Sequence, residues 1–193
     1  MLESALWIWS SAALFALFHS MTASLACKQQ AYAWGLKEPR YRLLYSLIST
    51  ILTIVWALWI HQLPDTPLYS TDGILRGILI AIQLLGALIA LAAFQPIDGM
   101  AFLGFRKLQI SEDPFIELGI YRYMRHPMYS GTMLILFAMP VQSWNGLQFA
   151  VVIGVYFLVG SRFEERRMLR QHAEYADYQR RVPAFRPHIR TIF

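Results

Sequence analysis

The sequence predicts an all-α fold: a polytopic membrane helix bundle of about five transmembrane helices, with a cytoplasmic amphipathic helix near its C-terminal end. Three observations predict it. Hydrophobic residues make up 56% of the 193 and charged residues only 15%, where a soluble domain carries roughly 25% charged residues. Mean hydropathy is +0.40, and the apolar residues gather into runs approaching the ~20 residues that cross a bilayer as a helix. The basic residues fall almost wholly between alternate runs. This composition excludes a disordered chain and a coiled coil, and a lone cysteine, Cys27, excludes an internally bridged secreted scaffold. The length suits one domain, residues 1–193, with a three-helix part over 1–95 and a more polar part over 96–193.

Each element follows from its run. The first span covers Leu6 to Ala23, the second Leu43 to Ile60 and the third Ile74 to Phe94. The fourth, Met128 to Val141, is shorter and contains Pro140; the fifth covers Leu147 to Gly160. Gln142 to Gly146 alone separate the last two, so they form an antiparallel hairpin. Strands fail as an alternative, because period-two alternation is absent and an open sheet leaves its backbone unsatisfied in lipid. A signal peptide would begin with basic residues, and the one charge before the first span is Glu3. A lipoprotein site ending at Cys27 would carry an aliphatic residue where Ser24 stands. The first segment is therefore read as a mature helix. An amphipathic helix from about Phe163 to Arg181 closes the pattern, and Pro183 stops it.

Charge orients the bundle. Lys28, Lys37, Arg40 and Arg42 follow span one. Arg106, Lys107, Arg122 and Arg125 follow span three, and eight arginines from Arg162 to Arg190 follow span five. Of the 17 basic residues, only Arg76 lies on the other side. The positive-inside rule puts the N-terminus outside and the C-terminus in the cytoplasm, across the inner membrane if the source is bacterial. The net charge of +5 is thus a topology signal, and no soluble face is left to bind nucleic acid.

The densest polar chemistry is Gly119-Ile120-Tyr121-Arg122-Tyr123-Met124-Arg125-His126-Pro127-Met128-Tyr129-Ser130-Gly131. Pro127 suits the first turn of a helix, which places Arg125 and His126 at an N-terminal mouth suited to a carboxylate. Gly119 and Gly131 would let a ligand approach the backbone. Arg125 and His126 can alternatively mark the headgroup boundary. Glu164 and Glu165, at the end of span five, are costly there unless paired or bound to something cationic. They can also pair with Arg166 to Arg170 along a solvated helix. Tyr175 and Tyr178, three apart, read as interface anchors or as ligands. His19 faces the bundle interior, either in a structural bond or in a substrate pocket. No metal site is expected, because no H-x-x-x-H or C-x-x-C spacing occurs.

The run from Gly119 to Gly131, with Glu164-Glu165, Tyr175-x-x-Tyr178 and Pro183 downstream, resembles the isoprenylcysteine carboxyl methyltransferase-like superfamily. That superfamily includes phospholipid methyltransferases, NnrU-like membrane proteins and methanethiol S-methyltransferases. Phe18-His19-Ser20, Lys28, Tyr41 to Tyr45 and Phe102-Leu103-Gly104 look closer to the NnrU-like and methanethiol branch. The resemblance implies a membrane-embedded methyltransferase using S-adenosylmethionine. Its cofactor pocket would be lined by Gly119, Tyr121, Arg125, His126, Pro127 and Tyr129 and closed by Glu164 and Glu165, with Arg125 and His126 as the catalytic residues. His19 would serve the acceptor, a small or lipophilic molecule such as a thiol or a prenylcysteine-like carboxylate, reached from membrane lipid. A non-catalytic NnrU-like protein that keeps the fold is the other reading.

Overall fold

The computed structural model describes residues 1–105 and 115–187. Arg106, Lys107 and Arg190 of the charge pattern, and the side chain of Phe102, lie outside the described residues. The fold is helical throughout: α1 (Leu2–Ala23), α2 (Leu25–Ala33), α3 (Glu38–Ile60), α4 (Gly73–Ala92), α5 (Gly99–Leu103), α6 (Pro127–Phe137), α7 (Trp144–Gln171) and α8 (Tyr175–Arg181). Two short strands, β1 (Pro67–Ser70) and β2 (Val141–Ser143), and a 3-10 turn over Gly119–Arg122 complete it.

Four of these helices, α1, α3, α4 and α7, are long and apolar enough to cross a membrane. Ile74, Leu75, Leu84, Leu88 and Leu91 on α4 are exposed, a surface that water would not tolerate and lipid solvates. The chain is an integral membrane protein. Some hydroxyls inside the spans are satisfied by the preceding turn: Ser11 donates to the Trp7 carbonyl at 2.6 Å and Thr22 to that of Phe18 at 2.9 Å.

The described residues form two compact units. The first holds residues 1–68, the described part of 98–112, and 143–152. In it α1 packs on α3, and Ile8 and Ala12 on α1 and Trp56 and Ile60 on α3 are buried. The Trp56 indole donates to Ser11 Oγ at 2.9 Å, and Phe15 stacks on Trp56 at 5.8 Å. Ser24 caps α2 by accepting from the Cys27 N–H.

The second unit holds residues 69–97, the described part of 113–142, and 153–187. Its centre is the crossing of α4 and α6 at two glycines. A Cβ on Gly86 would lie 2.6 Å from the Gly131 carbonyl oxygen, and a Cβ on Gly131 would run into the backbone of Gly86 and Ala90. Gly131 therefore serves helix packing, because small residues let membrane helices meet backbone to backbone. Farther along, Gln83 donates to the Ile135 carbonyl at 3.1 Å, and the Thr71 N–H to that of Pro140 at 2.9 Å.

These contacts run antiparallel, so residues 127–140 travel the length of α4. They do so with a helix of 11 residues, about 16 Å at 1.5 Å per residue, extended by the non-helical stretch around Pro140. The fourth apolar run is thus a short helix with an extended end. Phe137 packs 3.5 Å from the Cβ position of Gly154, and Tyr129 stacks on Phe157, which gives α6 and α7 the expected antiparallel hairpin.

The sequence suggests one amphipathic helix from about Phe163 to Arg181, and here the structure differs. Span five and the charged stretch after it are one helix, α7, of 28 residues. Arg, Glu, Met and Leu after Gly160 are good helix formers, so nothing ends it there. The chain instead turns at 172–174 and folds α8 back. That reversal buries Tyr175 and Tyr178 with Met168, Val182 and Phe115. The two tyrosines are core residues of this unit, not interface anchors.

Candidate functional site

Every residue of the polar cluster lies in the second unit. Gly119 takes φ +58°, a backbone conformation that side chains disfavour, and opens the 3-10 turn. Met124, just after the turn, is buried. Pro127 occupies the first turn of α6 and His126 is its N-cap residue, as the sequence predicts. The N–H groups of Arg125 and His126 donate to the carbonyls of Pro183 and Ala184, both at 2.9 Å. The segment after α8 is therefore stitched to the entrance of α6.

Side chains complete the joint. Glu165 Oε1 accepts from Arg125 Nε at 2.8 Å, pairs with Arg125 Nη2 at 2.8 Å, and lies 2.9 Å from His126 Nε2. Glu165 Oε2 accepts from Gln179 Nε2 at 2.8 Å. Arg125 Nη1 donates to the carbonyls of Gln179, at 2.9 Å, and Val182. His126 and Glu165 are buried. The carboxylate at the mouth of α6 is thus the chain's own. A guanidinium fork and an imidazole satisfying one buried acid is the arrangement in which such a charge is tolerated.

Beside this joint runs a column of rings. Tyr129 is nearly parallel to His126 on one side, at 5.4 Å and 4°, and to Phe157 on the other, at 4.4 Å and 10°. Phe185 stacks on His126 at 5.4 Å and 30°. The Tyr129 hydroxyl donates to Glu164 Oε2 at 3.1 Å, and His126 Nδ1 lies 3.8 Å from the same oxygen. Glu164 differs from its neighbour in exposure: 40% of its side chain is open, against 8% for Glu165. Burial pushes the Tyr121 phenol up to about 12, and the Glu164 charge adds to the shift, so Tyr121 stays neutral at physiological pH. The Tyr178 hydroxyl donates to the Tyr121 carbonyl at 2.7 Å and ties the 3-10 turn to α8. Tyr178→Phe is expected to cost about 1 kcal/mol, read as a small loss in melting temperature.

The structure brings together Arg125, His126, Tyr129, Glu164 and Glu165, with Pro127 and Tyr121 supporting them. His19 lies in the other unit. Its Nε2 is 2.8 Å from the Tyr45 hydroxyl and its Nδ1 3.2 Å from Ser49 Oγ, so it bonds from α1 across to α3. Sequence reasoning missed Gln179, Phe157 and Phe185. Phe157 stands two turns before Glu164 on α7, a spacing that could have flagged it; Gln179 and Phe185 depend on the fold-back of α8 and left no local signal.

A family model described as NnrU protein matches residues 7–192. The chain belongs to the NnrU family. Among curated proteins, this NnrU chain is 35% identical over 184 residues to methanethiol S-methyltransferase 2 of Bradyrhizobium diazoefficiens, covering 91% of this chain and 70% of that protein. It is 31% identical to the methanethiol S-methyltransferase of Crocosphaera subtropica, over 91% of this chain and 72% of the relative. The like-named protein of Mycobacterium tuberculosis is 31% identical, over 90% and 74% respectively. No solved structure matches the chain.

Proposed function

We propose that this NnrU-family chain is a single-domain membrane methyltransferase that moves a methyl group from S-adenosylmethionine to a small thiol. The relatives support methyl transfer, and their names favour a thiol over a prenylcysteine-like carboxylate. The observation that carries the reading is Glu164. It is a half-open carboxylate anchored by one oxygen to Tyr129, at the edge of a flat aromatic column. A donor with a sulfonium and an ammonium needs an acid for its cations, and its purine would pack at an end of the column, since Tyr129 and His126 already carry rings on both sides. The residues present fit it.

Glu164, Tyr129 and Tyr121 would hold the donor. When bound, it supplies an electrophilic methyl group. Arg125 and His126 act as positioning residues: their bonds to Glu165 and to residues 179–184 fix the mouth of α6, and so fix Tyr129 against Glu164. Gly119 and Pro127 set the backbone entering that mouth. His126 Nε2 is committed to Glu165 Oε1 and stays there during transfer. Such rigidity matters because alignment of nucleophile, methyl carbon and leaving sulfur is worth up to ~7–11 kcal/mol. The site faces the cytoplasm, with the N-terminus outside. The run of basic residues supports this orientation, and so does the passage of residues 127–140 alongside α4, which brings the number of crossings to five.

Purified chain in detergent, incubated with methyl-labelled S-adenosylmethionine and a panel of methanethiol, a prenylated cysteine and phosphatidylethanolamine, is expected to label the thiol alone. Label on another acceptor, or on none, overturns the proposal. Glu164→Gln is expected to weaken donor binding at least about tenfold while changing stability by no more than ~0.5 kcal/mol, as for an open side chain. Calorimetry and a melting curve on the same sample check both.

A further inference from the structure

Polar side chains in membrane spans are expensive and mark either interhelical bonds or ligand sites. In α3, Tyr41, Tyr45 and Ser49 recur at intervals of four and form one stripe along an apolar helix. His19 and Thr22, three apart on α1, face that stripe: the His19 ring bonds Tyr45 and Ser49, and the Tyr41 hydroxyl donates to the Thr22 carbonyl at 2.5 Å. If these groups were glue alone, the helices would close on them. Instead Thr22, Tyr41, Tyr45 and Ser49 line a cavity of about 190 Å³, whose apolar wall includes Leu44 and Ile48.

Its size limits what enters. The space, about 190 Å³ and partly open, is modest and suits a small molecule better than a nucleoside. Its lining is mostly carbon, from Phe18, Leu36, Leu44 and Ile48, with Thr22, Tyr41, Tyr45 and Ser49 adding little hydroxyl surface and with no acid and no ammonium; His19 holds Tyr45 and Ser49 from outside that lining. That suits an uncharged molecule with a weak polar donor at one end and a short apolar body. A larger cavity of about 570 Å³, between α4 and α6, contrasts with it. Leu79, Ile82, Met133 and Phe137 wall it, and the one hydroxyl among its lining residues, Ser130, already reaches the carbonyls of His126 and Phe185.

We infer that the cavity between α1 and α3 is a binding site for a small uncharged thiol, in which the Tyr45 or Ser49 hydroxyl, held by His19, receives the S–H and Leu44 sets the length of the apolar body. The choice of a thiol rests on the methyl-transfer reading above. The space and its hydroxyls do not.

The test uses the full chain in detergent and 2,2,2-trifluoroethanethiol as a fluorine NMR probe, which needs no turnover. Wild type is expected to shift and broaden the probe signal. Ser49→Leu, which fills the cavity, is expected to weaken that binding at least about tenfold while donor affinity is kept. Leu44→Ala, which enlarges it, is expected to admit octanethiol, which wild type rejects in favour of ethanethiol and butanethiol. Tyr45→Phe keeps the ring and removes the hydroxyl, and is expected to weaken the probe without changing the length limit. An unshifted probe with wild type, undiminished binding by Ser49→Leu, or an unchanged length limit in Leu44→Ala each overturns the site. Probe binding without methyl transfer to any thiol would sink the proposed reaction and leave this site standing.

Discussion

Glu165→Ala is expected to abolish donor binding and to destabilise the second unit by about 3–5 kcal/mol, the scale for removing one partner of a buried ion pair. Three donors lose their acceptor at once: the Arg125 fork, His126 Nε2 and Gln179 Nε2. Arg125 and Glu165 side chains are 10% and 8% exposed, so water does not easily replace the lost oxygen. Glu165→Gln should be milder, because the amide oxygen can still accept. Melting curves in detergent order the three proteins wild type, Gln, Ala; calorimetry with S-adenosylmethionine reads the site. An alanine variant that melts and binds like wild type would show that the joint neither holds the unit nor shapes the donor site.

The second large effect belongs to Gly131→Val. A side chain there meets backbone, the Gly86 carbonyl and the Ala90 nitrogen, and backbone cannot rotate away as a side chain can. Overpacking of a tight core typically costs 1–3 kcal/mol, and a rigid neighbour puts this case at about the upper end or beyond. The α4–α6 crossing should open, carrying His126 and Tyr129 with it, so activity and melting temperature should fall together. Gly160→Ala is the matched control: nothing lies within 4 Å of its Cβ position, and alanine favours helix. Equal melting temperatures for Gly131→Val and Gly160→Ala would contradict the crossing.

Much of this was legible in the residues. Pro127 announces the start of α6 because proline tolerates only the first turn of a helix. Glu164 and Glu165, at the end of an apolar run, demand partners, and Arg125 and His126 are the natural ones. What could not be read is which acid does what. Adjacent residues on a helix point about 100° apart, and only the packed neighbours decide that Glu165 is enclosed and Glu164 open. The reversal after Gln171 was equally hidden. Tyr175 and Tyr178 have the spacing of an amphipathic face, and the same spacing serves a helix lying on lipid or one folded against α7. His19 was legible as a polar group needing a bond across the interface; the space beside it follows from the sizes of Leu44, Ile48 and Thr22, which no periodicity reports.

The stitching of Pro183 and Ala184 to the entrance of α6 also has a temporal meaning. Half of the joint is made from late-synthesised chain, so during translation the spans can enter the bilayer while Arg125 and Glu165 still lack the carbonyls and the amide that surround them. The joint is then completed late, once α8 has emerged and turned back.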